Sequence, residues 1–439
     1  MSRPQPLSGF PELLPRQRIV EQQVVDHLRR AFELHGFAGV QTRAVESMDQ
    51  LLRKGETSKE VYVLRRLQAE ADSGEAGLGL HFDLTVPFAR YVLENAGKLQ
   101  FPFRRYQIQP CWRGERPQEG RFREFWQADI DIVDRDDLPA HYEVEIPLVI
   151  ADALRGLPLP PVRMHVNNRK LSQGFYQGVG IGNTEEALRI IDKLDKIGAE
   201  AVAKLLIDQL DATTEQADAC LKLAAISSTD TSFVDEVKAL GVSDPLLEEG
   251  LAELAAVVEA AATEAPGLVV ADMKIARGLD YYTGTVYETV MEGYESLGSV
   301  CSGGRYDTLA SDGKNTYPGV GLSIGISRIL VPLLQSGKLT ATREVPTCVL
   351  VALADEDGRS EANALAQRLR SRGVATQVSP SAAKYGKQIK FADKRGIPFV
   401  LFPGDELQMK DIRSGEQVPV DLDSWEPPTE DLHPRIVSA

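Results

Sequence analysis

RRYQIQPCWRGERPQEGRFREFWQADIDIV, residues 104–133, is the stretch on which the reading of this chain turns. Up to Arg123 it sets six arginines (Arg104, Arg105, Arg113, Arg116, Arg121 and Arg123) against two glutamates (Glu115 and Glu119), a local balance of +4 in a chain whose total is −15. Beyond it the residues alternate. In an extended strand Trp126, Ala128, Ile130 and Ile132 fall on one side and Gln127, Asp129 and Asp131 on the other. One face is apolar and packs; the opposite face carries polar chemistry. The bland alternative is a solvated edge hairpin with an ordinary charged loop.

The whole chain has 439 residues, 43% of them hydrophobic and 26% charged, enough for two or three domains with real cores. Cys111, Cys220, Cys301 and Cys348 lie far apart with no CxxC spacing, which argues against a disulfide framework or a structural zinc site and fits a reducing cytoplasm. No 18-residue apolar run exists, and the Pro-rich opening MSRPQPLSGFPELLP lacks the apolar core of a signal peptide, so neither secretion nor a membrane span is expected. Overall acidity argues against a nucleic-acid partner, but the acidity is local. Residues 184–265 carry 18 Asp and Glu against 6 Lys and Arg, a net of −12. Elsewhere the balance is near neutral, and nucleic-acid contact stays open.

Along the chain, Val20, Val24, Leu28 and Phe32, widened by Ile19 and Val25, give an amphipathic helix from Arg16 to Leu34, closed by Gly36. GLHFDLTVPFARYV (79–92) reads as a strand ending near Thr85, with Pro87 in the first turn of a helix. Residues 184–265, rich in Ala, Leu and Glu with Phe233 as the only aromatic, read as an inserted helical module capped at NTEE (183–186). Strand patterns resume at Leu268, so the insertion interrupts one domain. After a linker near Pro332, strand, helix, strand, helix and strand alternate from Thr347, which predicts a small α/β domain with a largely parallel sheet.

Four segments hold residue types suited to phosphate and amino-acid chemistry. Asp83 and Thr85, on one strand face, can hold an ammonium group, although Asp83 also suits a plain turn. Arg113 shares a face with Glu115, and Arg121 and Arg123 sit in or beside the loop; guanidinium forks match phosphate oxygens. Arg277, Tyr281 and Tyr282 in RGLDYYTG can bring charge and phenols to a polar ligand, or the tyrosines can be core aromatics. Gly303, Gly304, Gly319, Gly321 and Gly325 allow close backbone approach, with Arg328 on the following helix, though glycines also simply turn. GxxxxGK[ST] and GxGxxG are missing, and the six histidines do not pair at metal-ligand spacing, so no protein metal site is expected.

Taken in order, DLT (83–85), WRGERPQEGRFREFWQADID (112–131), ARGLDYYTGTVYE (276–288), SGGRYD (302–307) and GVGLSIGISRIL (319–330) resemble the histidyl-tRNA synthetases across nearly the whole chain. The resemblance implies an α+β fold: a class II synthetase antiparallel sheet flanked by helices, with an inserted helical module and a C-terminal α/β anticodon-binding domain. On this reading residues 1–332 form the catalytic domain, interrupted at 170–265, with a linker at 333–345 and the anticodon-binding domain at 346–439. It implies a cytoplasmic histidine-tRNA ligase that activates histidine with ATP and Mg2+ and transfers it to the 3′ end of the histidine tRNA, as a homodimer. By analogy Arg113 would hold the α-phosphate and carboxylate, Glu115, Arg121 and Arg328 would bind ATP, and Arg277 would stabilise charge at the α-phosphorus. Asp83, Thr85 and Gln127 would take the substrate ammonium group, and Asp131 and Tyr282 the imidazole, with Tyr281 beside them.

Gln127 and Asp131 share a strand face, so amino-acid backbone and ring can be gripped from one surface. A site built for two ring nitrogens would leave buried polar groups unpaired with Phe or Leu, a mismatch that can give ~10⁴-fold rejection without an editing domain. Lys384, Lys387, Lys390 and Lys394 recur on one helical arc of the last domain and suit tRNA phosphates, or a solvated face. Two features depart from the family pattern: Ala44 stands in TRAVE (42–46) where class II motif 1 carries a proline, and the −12 insertion should repel an acceptor stem. The competing readings are a non-catalytic regulatory paralogue that partners ATP phosphoribosyltransferase and a nucleic-acid-binding accessory protein on the same fold. Arg277 and the long segment after the linker favour the enzyme.

Overall fold

The computed structural model of the protein describes residues 4–52, 60–68, 77–275 and 281–438. They divide into two compact units, one holding the residues before Glu12 with Val25–Pro332, the other Glu12–Val24 with the residues from Leu333 onward.

The first unit is built on a sheet that has nine strands among the described residues. In chain order these are β1 (Ala38–Gly39), β2 (Phe103–Trp112), β3 (Glu124–Val133), β4 (Val162–Asn168), β5 (Ser227–Ser228), β6 (Val269–Asp272), β7 (Tyr282–Met291), β8 (Cys301–Tyr306) and β9 (Gly319–Gly325). Across the sheet they run β1-β2-β3-β9-β8-β7-β4-β6-β5. Pairing is antiparallel from β2 through β4 and parallel at β1/β2 and β4/β6. The 104–133 stretch is therefore no edge hairpin: β3 lies between β2 and β9, in the interior of the sheet.

The alternation of β3 explains its place. Ala128, Ile130 and Ile132 are wholly buried on one face, where helix α1 (His141–Leu154) packs on β9. That helix buries Ile146, Val149, Ile150 and Ala153, a spacing that keeps them on one stripe. Each isoleucine taken out of water contributes roughly 1.5–3 kcal/mol. On the other face Asp129 and Asp131 are buried too, at 3% exposure each, so this surface is an enclosed polar site.

The expected helical insertion lies between β4 and β6, which pair directly with each other. Its helices begin with Arg169–Gly178 and end with Pro245–Glu264, and Asn183 caps the helix Thr184–Ile191 by accepting from the Glu186 amide. It also supplies the edge strand β5.

In the second unit three parallel strands, Val349–Val351, Thr376–Val378 and Phe399–Phe402, are extended by two antiparallel ones, Gln408–Asp411 and Gln417–Pro419. The helix Arg359–Ser371 buries Ala362, Leu365, Ala366 and Leu369 against them. The segment read as a linker is partly regular: a helix continues to Gln335, and Leu339–Ala341 pairs with Ile436–Ser438.

Candidate active site

The polar face of β3 is enclosed by its neighbours in register. Asp131 stands opposite Arg105 on β2 and Gly321 on β9, Asp129 opposite Gln107 and Ser323, and Gln127 opposite Gln109 and Gly325. Arg105 is completely buried, its guanidinium 4.3 Å from the centre of the Phe88 ring, and its Nη2 lies 2.6 Å from Asp131 Oδ2 and 3.9 Å from Asp129 Oδ2. The Tyr306 hydroxyl donates to Asp131 Oδ1 at 2.8 Å. A glycine opposite Asp131 is required, because a Cβ at Gly321 would meet Asp131 Oδ1 at 2.1 Å. The glycines of β8 and β9 are thus strand residues rather than turns.

Two cavities open on this face. The larger, about 160 Å³, is lined by Arg113, Arg121 and Arg328 against the single carboxylate of Glu115, with Gln127, Ser302 and Ser323 on its floor. The smaller, about 20 Å³, is lined by Thr85, Asp129, Asp131, Tyr282 and Tyr306, and shares Ser302 and Ser323 with the larger. A basic compartment and an acidic one therefore meet at two serines. An anion with several oxygens suits the first and a small cation the second.

Each guanidinium of the larger cavity is fixed by the fold. Arg113 Nε donates to the Phe82 carbonyl at 3.0 Å, and its plane lies 5.1 Å from the Phe125 ring centre. Arg121 Nη1 donates to Glu115 Oε2 at 3.1 Å, while Arg113 Nη1 is 3.9 Å from Glu115 Oε1. Arg328, on the helix Ile326–Gln335, donates to the carbonyls of Gly120 (3.1 Å) and Ser299 (2.6 Å).

The 104–133 arginines do not act as one loop. Arg104 and Arg105 belong to β2, where Arg104 pairs with Glu145 and Arg105 backs the aspartates. Asp83 and Thr85 also differ from the expectation of a shared strand face: the strand Leu78–Leu80 ends earlier, and Thr85 begins the helix Thr85–Asn95. Asp83 Oδ1 accepts from the Val86 amide at 3.1 Å, which is the turn chemistry open to it from the outset. Thr85 still lines the acidic cavity.

Tyr281 and Tyr282 lie tilted against each other, 4.5 Å between ring centres, and the Tyr281 hydroxyl donates to that of Tyr282 at 3.2 Å. Burial raises the Tyr281 phenol well above its ordinary value, with the Asp83 charge adding. Arg277 lies outside the described residues.

Burial, against the pull of Arg105 and with the Asp131 charge adding, pushes the Asp129 carboxyl from 3.8 up to about 7. Near the larger cavity, burial and then the Glu115 charge raise the Glu60 carboxyl, with Arg113 and Arg121 opposing. Glu60, Arg105 and Ser323 were not singled out by sequence reasoning. For Arg105 a signal existed, since Arg105, Gln107 and Gln109 alternate with Tyr106 and Ile108 as polar and less polar faces do.

Comparison with known proteins gives a consistent result. The family model described as histidyl-tRNA synthetase matches residues 9–329, and that described as anticodon binding domain matches residues 347–426. The chain is 58% identical to the histidine–tRNA ligase of Cutibacterium acnes, over 100% of this chain and 99% of that one. It is 56% identical to the histidine–tRNA ligase of Micrococcus luteus, over 100% of both chains. Among solved structures, the histidyl-tRNA synthetase of a Nostoc species is similar with a TM-score of 0.85 at 33% identity, covering 96% of this chain and 98% of that one. A protein of Bacillus halodurans described as an ATP phosphoribosyltransferase regulatory subunit/histidyl-tRNA synthetase shares the fold, with a TM-score of 0.74 at 18% identity over 91% of this chain and 97% of that one.

Proposed function

The chain belongs to the histidyl-tRNA synthetase family, and from that membership we propose that its two joined cavities activate histidine with ATP and then charge the histidine tRNA. The observation that carries this reading is the sharing of Ser302 and Ser323 by an arginine-lined cavity and a carboxylate-lined one. A triphosphate in the first and an amino acid in the second would meet at those serines.

In this reading histidine sits with its ring between Asp131 and Tyr282 and its ammonium group near Thr85, Gln127 and Asp83. Asp131, held by Arg105 and Tyr306, is fixed as a hydrogen-bond acceptor for a ring N–H. Phe or Leu has no ring N–H to give that buried carboxylate, which is the basis of ~10⁴-fold rejection.

Arg113, oriented by the Phe82 carbonyl, holds the substrate carboxylate and the α-phosphate side by side. The carboxylate oxygen attacks the α-phosphorus, and pyrophosphate leaves. Arg277 stabilises the charge that develops there, and Arg328 and Arg121 hold the departing phosphates. A terminal adenosine hydroxyl of the tRNA then attacks the acyl carbon, and AMP leaves.

Mg2+ would be held chiefly by the phosphates, with Glu115 as the carboxylate in the cavity lining; this suits an ion that binds through one or two carboxylates and substrate oxygens. When bound, it neutralises phosphate charge. Among the described residues no cluster of three or more His, Cys, Asp or Glu could hold a metal by itself. The segment 346–439 is assigned to anticodon binding, with 1–332 as the catalytic part and 170–265 as its insertion. Homodimer formation and a cytoplasmic setting complete the proposal. Among the described residues no helix is long and apolar enough to cross a membrane.

The test is histidine-dependent exchange of pyrophosphate into ATP, run beside Arg277→Ala. Wild type should exchange and the variant should lose at least ~10²-fold. No exchange by the wild type would leave the non-catalytic reading in its place.

A further inference from the structure

Asp129 and Ser323 line the acidic cavity, yet the scheme above gives neither side chain a chemical task. Together with Gln127 they form a chain of hydrogen bonds across β3 and β9. Gln127 Nε2 donates to Ser323 Oγ at 2.7 Å, and Ser323 Oγ donates to Asp129 Oδ1 at 2.5 Å. At the far end Arg105 Nη2 lies 3.9 Å from Asp129 Oδ2. At the near end Gln127 Oε1 is buried and, among the described residues, accepts no hydrogen bond.

The two ends of a glutamine amide have nearly the same shape and opposite hydrogen-bonding roles, so a neighbour must decide which end faces a ligand. Ser323 has one hydroxyl proton. Given to Asp129, it leaves only lone pairs for Gln127, which must then present its NH2 to the serine and turn its carbonyl oxygen away. Above about pH 7, where the Asp129 carboxylate is ionised, it can only accept, and Arg105 can only donate, so the direction of the chain is set from the Arg105 end. If the serine proton went to Gln127 instead, Asp129 and Ser323 would face each other as two acceptors.

We infer that Asp129 and Ser323 are positioning residues that fix the polarity of the Gln127 amide and thereby present its carbonyl oxygen to the α-ammonium group of bound histidine. This rests on the reading of the site as a histidine site. It adds that ammonium recognition is set two residues away from the amide that performs it. Asp129→Asn keeps the shape but lets a carboxamide donate to Ser323, and Ser323→Ala cuts the chain without altering either end.

The experiment measures exchange kinetics of the full chain with two competitive probes. Histidinol retains the ammonium group, whereas 3-(imidazol-4-yl)propionate lacks it. Loss of a hydrogen bond to a charged group corresponds to roughly 10–100-fold in affinity. Both variants should weaken histidinol and raise the KM for histidine by that factor, while the Ki of the propionate and kcat change less than about threefold. Parallel weakening of both probes, or unchanged histidinol binding, overturns the inference and leaves the histidine site intact. Absence of histidine-dependent exchange in the wild type would instead remove the site assignment on which it rests.

Discussion

Arg105 Nη2 stands 2.6 Å from Asp131 Oδ2, beneath the face on which Asp131 meets the cavity. Arg105 is fully buried and also compensates Asp129, so one guanidinium serves two enclosed carboxylates. Removing it takes the compensating charge from both carboxylates and leaves them the weaker help of the Tyr306 and Ser323 hydroxyls. We expect Arg105→Met to destabilise the protein by about 3–5 kcal/mol, the usual cost of breaking a buried ion pair from one side. Urea unfolding of the two proteins measures this. A loss below about 1 kcal/mol would mean that Arg105 does not compensate the pair.

Gly321 is the residue that lets Asp131 stand where it does. A methyl group there would fall 2.1 Å from Asp131 Oδ1 and force the carboxylate aside. Displacement of a binding group by about 1 Å can cost roughly 10²-fold. Gly321→Ala should therefore lower kcat/KM for histidine by about that factor while the KM for ATP changes little, as read by varying each substrate in the exchange assay. Equal loss toward both substrates would point to general collapse of β9.

Much of this was legible before the structure, and the limits were physical. Alternation in 124–133 identified the packed and polar faces of β3 correctly, because a strand has a fixed two-residue period. The same period ran through Arg105, Gln107 and Gln109, but arginine reads as surface until a partner is seen, and its partner Asp131 lies 26 positions away in sequence. Asp83 and Thr85 were misplaced by a different route. The apolar run before Pro87 does not mark where a strand stops, and the turn made by Asp83 onto the Val86 amide ends it first. Ser323 gave no signal at all. Its role depends on register across β3 and β9, which periodicity in one strand does not contain.

Asp129 carries a pH signature of its own. It faces Arg105 and Gln107 on β2, Ser323 on β9 and Asp131 two residues along, and the Asp83 charge also reaches it. Burial raises its carboxyl from 3.8 to about 7. A group raised in the folded state contributes stability that is complete below the unfolded value and is lost as pH climbs to the folded one. Wild type should therefore lose thermal stability relative to Asp129→Asn between about pH 4 and pH 7, with the difference levelling off above. Melting curves from about pH 5 to pH 8.5 decide it, and a difference that does not vary with pH would place the Asp129 carboxyl in its ordinary range.

Lys384, Lys387, Lys390 and Lys394 are all exposed, at the start and along the outer side of the helix Tyr385–Arg395, whose Gln388 and Ala392 face inward. Exposed lysines on one arc are either a phosphate-binding strip or a solvated face, and salt separates the two. Each phosphate that is no longer neutralised should reduce the slope of log affinity against log salt by about 0.7–0.9. Changing all four to Gln should lower tRNA charging at least ~10-fold at low salt and flatten its salt dependence by up to about 3, while histidine-dependent exchange stays within about twofold. The two assays share the catalytic site and differ only in tRNA, so a selective effect assigns the strip to tRNA. Charging unchanged in rate and salt slope would make the lysines a solvated face.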